Sequence, residues 1–451
     1  MFKTLKNAWK IQEIQNKILF TLLIILLYRV GSAIPVPYVQ RGILDSFNSA
    51  YGGTIFDYLS MLSGTAMAQA TLFALSVSPY ITSSIVIQLL TVAFPDSLGK
   101  IAKDGEEGQK KVKQWTRYIT VGIALVTAYG YTALLANNGW LDANHITWSG
   151  MWASNGFTGT VNTLVLISSY VAGAAIIMWL AELIDAKGIG NGISMILFFN
   201  IVSGAPRLVT QLWNMIVYNQ NGLVVGILLG IVSLAITLGM VLLVVWVTHS
   251  ERRIPIQYAK RVVGRKMYGG QGTNLPIKLN MTGVMPIIFA NSIVSVPATI
   301  ATFFAEGNPF RDFVDKYLGP NSLTYLIVTL VLIVAFAYFY ILISFNPIEV
   351  ANNIKNNGGS VPGIRTGKPT ADYITKILNR ITLIGAFFLV IVAGLPMIVN
   401  LLNVHVLNNT TAFSGLAFGG SSLLIVVGVA IEVFTDIEAQ ITMRNYKGFL
   451  D

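Results

Sequence analysis

Residues 95–117, PDSLGKIAKDGEEGQKKVKQWTR, carry six Lys or Arg. The next nineteen residues, YITVGIALVTAYGYTALLA (118–136), carry no charge. The stretch that follows, NNGWLDANHITWSGMWASNGFTG (137–159), has no Lys or Arg but holds Trp140, Trp148 and Trp152. About 20 apolar residues are needed for a helix to cross roughly 30 Å of hydrocarbon. Cationic short loops stay on the cytoplasmic side, and Trp gathers at the membrane interface. These 65 residues therefore read as inner loop, membrane-spanning helix and outer loop.

The same alternation extends over the whole chain. Ten apolar stretches can be drawn at 18–36, 71–94, 116–136, 160–184, 190–213, 223–248, 281–304, 322–345, 376–402 and 414–436. Of the 30 Lys and Arg residues, 25 fall in alternate connecting segments. Four fall in the others (Arg41, Arg207, Arg311, Lys316), and Arg29 lies inside a stretch. The predicted fold is thus an all-α polytopic membrane protein of ten transmembrane helices with both termini cytoplasmic. At 54% apolar and 11% charged residues the composition excludes an ordinary soluble domain. The net charge of +10 sits on one side, which suits anionic lipid and acidic or RNA-rich cytosolic partners and implies no direct DNA binding. The absence of cysteine excludes disulfides, thiolate chemistry and Cys-ligated metals. A cleaved signal peptide is not expected, because the first apolar run follows four lysines and nine more spans come after it.

Several segments depart from a plain bundle. Residues 1–17 place Phe2, Leu5 and Trp9 at helical spacing among lysines, as an amphipathic helix on the inner leaflet would. Residues 55–66, IFDYLSMLSGTA, are too short to cross. They either fold back into the membrane domain or lie as an interfacial helix on the outer side. Spans four and five are joined only by Ala186–Asn191, so they must be antiparallel neighbours. The inner loops 249–280 and 346–375 are long, basic and rich in Gly and Pro, which marks functional loops. Five spans precede the outer turn at 219–222 and five follow it. The expected division is therefore a tail 1–17, halves 18–218 and 219–436 of inverted topology, and a cytosolic tail 437–451.

Chemistry-bearing motifs are sparse. Gly188-Ile-Gly-Asn-Gly192 looks like part of a dinucleotide fingerprint but lacks the strand and βαβ unit, so it reads as a tight helix–helix turn. There is no P-loop, and His145, His249 and His405 all lie in or beside connecting segments. No metal site, catalytic group or cofactor is predicted. Arg29 is the one ionisable residue expected well inside a span, while Glu182, Asp185, Glu432 and Asp436 cluster at cytoplasmic ends. A proton- or ion-coupled carrier would typically need a midplane carboxylate or an unwound cation site, and the lack of a buried acid counts against it. An aliphatic interior can instead gate by dewetting while a pushed polypeptide parts its side chains, which suits a conduit for large, varied substrates.

The strings Arg29-Val-Gly-Ser-Ala-Ile-Pro-Val-Pro37, Phe73-Ala-Leu-Ser-Val-Ser-Pro-Tyr-Ile81 and Gly188 through Ser194 resemble the SecY family, the pore subunit of the bacterial protein-conducting channel. So do Tyr258-Ala-Lys-Arg261, Asn280 through Ala290, Phe345-Asn-Pro347, Val361-Pro-Gly-Ile-Arg365 and Gly419 through Ile425, in family order along essentially the whole chain. The resemblance implies an hourglass pore between two five-helix halves in the plasma membrane. Its waist ring would fall on Val77, Ile81, Ile193, Leu197, Ile288 and Ile425, with Val77 and Leu197 standing where relatives often have isoleucine. Ile55, Phe56, Asp57, Tyr58, Leu59, Ser60, Met61, Leu62, Ser63, Gly64, Thr65 and Ala66 would form a plug. A lateral gate of spans two and three against seven and eight would include Thr82, Gln88, Asn291, Ser292 and Val296. Arg252, Arg253, Lys260, Arg261, Arg265, Lys266, Arg365 and Lys368 would dock the SecA motor or the ribosome. SecE and SecG subunits, the lipid bilayer and signal-sequence-bearing polypeptides are the further partners implied. Two other readings compete: an inverted-repeat transporter or flippase, and an accessory SecY paralogue serving a few exported glycoproteins.

Overall fold

The computed structural model describes residues 9–447 apart from 41, 52–54, 95, 143, 150–151, 154–155, 218–222, 259–260, 264–265, 269–271, 302–303, 305–307, 320–321 and 406–419. In chain order the first helices are α1 Gln12–Ser32, α2 Leu44–Tyr51, α3 Ile55–Leu62, α4 Ser78–Ala93, α5 Leu98–Lys103, α6 Gly105–Asn137, α7 Gly156–Lys187 and α8 Gly192–Ser203. Then come α9 Ala205–Val217, α10 Leu223–His249, α11 Met285–Ala301, α12 Pro309–Tyr317, α13 Leu323–Ser344, α14 Pro347–Asn356, α15 Lys368–His405 and α16 Gly420–Lys447. Among the described residues, six helices (α1, α6, α7, α10, α13 and α15) are long and apolar enough to cross a bilayer. The remaining expected spans fall on the shorter apolar helices α4, α8 and α11 and on α16.

The apolar run 71–94 is helical only from Ser78, where Pro79 occupies the first turn and supplies a helix-ready φ. Before it the backbone is irregular, with positive φ at Gly64, Thr65, Ala70 and Ser76. Irregular backbone at membrane depth requires protein cover. Phe73, Ala74 and Val77 are buried, and the Tyr131 hydroxyl of α6 donates to the Met67 carbonyl. The second span is therefore a half-span seated on a covered loop, which a continuous apolar run cannot reveal. The N-terminal end of α1 likewise packs on protein: Ile14 is buried against Ile189 and Ile437, with Ile11 and Ile18 beside them. Residues 1–8 of the expected amphipathic segment lie outside the described residues, as do 219–222 between the expected halves.

The basic loops carry the largest departure from an all-α chain. Strand β3, Glu251–Tyr258, pairs antiparallel with β6, Gly272–Lys278, and on its other edge with β7, Gly359–Ser360. Two further short strands, β4 Arg261–Val263 and β5 Lys266–Tyr268, form a hairpin between them. In β3 alternate residues Ile254 and Ile256 are buried, the period-two pattern of a half-buried strand. With Ile277 they form a core with Ile341, Ile354, Val361, Ile374, Leu378 and Ile381. The two loops are thus one structured unit braced on α13, α14 and α15. In the segment between α6 and α7, Trp148–Ser149 (β1) and Trp152–Ala153 (β2) make a minimal hairpin. Nearby, Asp142 accepts hydrogen bonds from the Asn144 amide and from His145, which hold its carboxyl below the usual range.

Candidate functional site

Residues of four helices share one apolar cluster. Val77 precedes α4 and Ile81 lies in its first turn; Ile193 and Leu197 are one turn apart on α8; Ile288 is on α11 and Ile425 on α16. All six belong to one apolar cluster, five of them buried and Ile193 partly so, and Leu62 of the 55–66 segment is part of it. Aliphatic groups exclude water from a constriction more effectively than polar ones. On one side of it opens a cavity of about 750 Å³ lined by Asp185, Lys278, Tyr340, Glu432 and Asp436. The acids predicted at the cytoplasmic helix ends thus share one vestibule, Glu182 excepted, which binds Arg117 through two hydrogen bonds of 2.7 and 2.9 Å.

The 55–66 segment closes the other side. Its helix α3 ends at Leu62 and is followed by a turn in which Thr65 N–H donates to the Ser60 carbonyl. The backbone of Ile55, Phe56, Asp57 and Tyr58 is helical, whereas their side chains lie outside the described residues. Leu59 and Leu62 line a cavity of about 30 Å³ together with Ile81, Leu197, Ile288 and Asn291. The Ser422 hydroxyl of α16 donates to Met61 Sδ at 3.2 Å, one turn from Ile425. Ser60, Ser63 and Ala66 are buried. Of the two alternatives for this segment, the fold-back into the membrane domain is the one adopted.

Between α4, α6 and α11 runs an apolar groove of about 390 Å³. Thr82, Ser292 and Val296 line it, facing Ile123, Val126 and Leu134. Asn291 lines the smaller cavity beside the ring, and Gln88, farther along α4, lines neither. Four of the five expected gate residues therefore meet at the junction of these helices.

Among the basic residues, Arg252, Arg253, Arg365 and Lys368 are exposed. Arg253 donates to Glu251 at 2.7 Å. Arg261 and Lys266 sit in the β4–β5 hairpin, and Lys260 and Arg265 lie outside the described residues. Arg365 stands at a loop tip between Gly363 and Gly367, whose φ values of +81° and +95° only glycine adopts readily. Its carbonyl accepts from the Thr370 hydroxyl at 2.8 Å, which ties the tip to the start of α15.

One expectation changes, and one buried polar residue stands outside every motif read from the sequence. Arg29 occupies the last turn of α1, not the span interior, where a cation complements the C-terminal end of the helix dipole. Asn200 of α8 was hidden in the apolar run ISMILFFNIV (193–202), yet it is completely buried and bonds to both Tyr28 and the Leu62 carbonyl. A lone carboxamide in such a run is the signal that could have found it. Gly188–Gly192 is a helix–helix turn as expected. Asp185 accepts from Gly192 N–H at 2.7 Å, Asp436 from Gly190 N–H at 3.2 Å and Thr21 from Ile189 N–H at 3.1 Å.

The SecY family model matches residues 71–434. The protein translocase subunit SecY of Streptomyces scabiei is 41% identical over 461 residues, covering 100% of both chains. A solved SecY translocation channel, described for the plug domain that stabilises its closed state and maintains a membrane seal, superposes with a TM-score of 0.62 at 16% identity. That match covers 94% of this chain and 92% of the other. Sec61 in a canine ribosome–channel complex from the endoplasmic reticulum gives a TM-score of 0.57 at 16% identity with the same coverage, 94% and 92%. These comparisons do not favour the transporter or accessory readings. With the shared cluster, the full-length match means that this chain belongs to the SecY family: it is a multi-pass membrane protein, the pore subunit of a protein translocase and not a catalytic enzyme.

Proposed function

We propose that Val77, Ile81, Ile193, Leu197, Ile288 and Ile425 form the waist ring, that residues 55–66 are the plug, and that the α4–α6–α11 groove is the inner wall of the lateral gate. The observation that carries this reading is the meeting of all six aliphatic positions, from four helices, with Leu62 in one cluster. An unfolded polypeptide would part the ring one segment at a time, and the aliphatic side chains would close around it as a seal against ions. A signal helix would leave sideways through the groove, whose lining combines Thr82 and Ser292 with aliphatic side chains. Both termini would be cytoplasmic in the plasma membrane, and the halves 18–218 and 219–436 would move against one another.

The exposed cations of the sheet-braced loops suit an acidic or RNA-rich partner, so the SecA motor and the ribosome would dock there. The canine channel is itself part of a ribosome–channel complex. SecE and SecG are the expected companion subunits. Purification from native membranes in mild detergent should bring a SecE-like subunit with the chain. After reconstitution, SecA and ATP should drive a signal-bearing precursor into the vesicles. A chain that purifies alone and moves no precursor even with SecA and added small subunits would overturn the reading.

A further inference from the structure

Asn200 sits one turn beyond Leu197 on α8 and is 0% exposed. Its Nδ2 donates at 2.8 Å to the Tyr28 hydroxyl of α1 and at 2.9 Å to the Leu62 carbonyl at the end of α3. The Ser76 hydroxyl also donates to that carbonyl, at the longer distance of 3.3 Å. Leu62 ends its helix, so its carbonyl has lost the intrahelical partner it would have further back and must be satisfied from outside. Two residues on, Gly64 has φ +64°, and a β-carbon there would lie 3.0 Å from Asn200 Oδ1, 3.1 Å from an Arg29 guanidinium nitrogen and 3.2 Å from Ser203 Oγ. Glycine is what lets this turn close against α1 and α8. Asn200 Oδ1 finds no hydrogen-bond partner among the described residues. Burying a carboxamide with half its capacity unmet costs free energy, whereas an aqueous pore would satisfy it fully. In the packed state its donor side is engaged by Tyr28 and Leu62 and its acceptor side has no partner among the described residues.

We propose that Asn200 is a latch for the plug: its carboxamide holds the Leu62 carbonyl in the idle channel and exchanges that bond for water when the segment swings out. The proposal rests on reading 55–66 as the plug. Asn200 is not one of the six proposed ring positions and acts through Leu62, so it is a positioning residue. The balance also limits its strength. The single donated bond is worth about one decade in the closed-to-open equilibrium, because roughly 1.4 kcal/mol is tenfold and a net hydrogen bond contributes about that much. A latch of that size keeps the idle channel shut and still yields to an incoming chain.

The test uses the full channel in membranes. The chain has no native cysteine, so Ser60→Cys gives a clean plug reporter. Ser60 is 0% exposed and its hydroxyl has no hydrogen-bond partner among the described residues, so the change is close to isosteric. An impermeant maleimide should label this cysteine slowly in the idle channel and fast when a precursor is arrested in it. Adding Asn200→Leu, which keeps the volume and removes the donor, should raise the idle labelling rate about tenfold and increase idle ion conductance while precursor export holds at the wild-type level. Tyr28→Phe, which removes the hydroxyl that Asn200 and Ser76 approach but keeps the bond from Asn200 to Leu62, should leave the idle rate unchanged. Asn200→Gln, which keeps the carboxamide, should restore most of the protection. If Asn200→Leu does not assemble, Asn200→Ala supports the same comparison. An unchanged rate in Asn200→Leu overturns the latch alone, as does an equal rise in Tyr28→Phe, which would make Asn200 a brace for α1. A reporter labelled equally in idle and arrested channels overturns the plug reading itself, and the latch with it.

Discussion

Replacing Ile425 by asparagine should turn the seal at the waist into a leak. Ile425 is 1% exposed in the apolar cluster that also holds the other five proposed ring positions and Leu62. Removing the buried aliphatic side chain forfeits about 1.5–3 kcal/mol. A carboxamide held dry in its place costs about a further 1–3 kcal/mol. Both terms weigh on the sealed state and not on the wet one, so the variant ring is driven to wet. The lost burial alone shifts the balance toward the non-sealed state by about ten- to hundredfold. Purified Ile425→Asn channel in a planar bilayer should therefore conduct small ions without substrate, far more often than the parent. Ile374→Asn is the matching control: Ile374 is 0% exposed but lies in the core between the sheet and α15. It should lower thermal stability without raising conductance. The reasoning fails if folded Ile425→Asn seals like the parent, or if Ile374→Asn leaks as much.

Three other outcomes follow from the same geometry. For topology, Ser360→Cys in β7 should react with an impermeant thiol reagent only from the cytoplasmic side and Asn144→Cys only from outside; labelling of both from one side would remove the ten-span arrangement. Thr82 and Val296 both line the α4–α6–α11 groove, so cysteines at 82 and 296 should bond on oxidation if their Cα atoms come within about 7 Å, and export should stop until reductant is added. High-yield crosslinking with undiminished export of signal-bearing precursors would sink the lateral-gate assignment. Arg365→Glu reverses the charge at an exposed loop tip, and SecA-driven export should fall by at least tenfold while the protein still inserts and copurifies with its small subunits; export at the normal rate would leave Arg365 an ordinary solvated charge.

How far the sequence could be read depends on which physical signal each part of the molecule leaves. Lipid leaves a strong one: a desolvated backbone must be helical and long, so apolar length and the side on which cations are retained are both written in the chain. Hence α6 and α7 fall within a few residues of expectation at their membrane ends, with their charged turns extending outward. The signal weakens wherever protein replaces lipid as solvent. Residues 64–77 are as apolar as a span but are covered by neighbouring helices and by Tyr131, so their irregular backbone is affordable there and invisible in hydropathy. The loop 249–280 reads as charge and glycine, although Ile254, Ile256 and Ile277 alternate onto a shared core; that alternation was legible in ERRIPIQY and was masked by the flanking Arg and Pro. The ring positions carried no chemical mark at all, since an aliphatic pore wall and an aliphatic core have the same composition. Their assignment came from resemblance, and the packing adds that all six share one apolar cluster with Leu62. Asn200 lies between these cases. It is the kind of residue an aliphatic span should not contain, and what it does became readable only once a carbonyl from a segment 138 residues away was found within its reach.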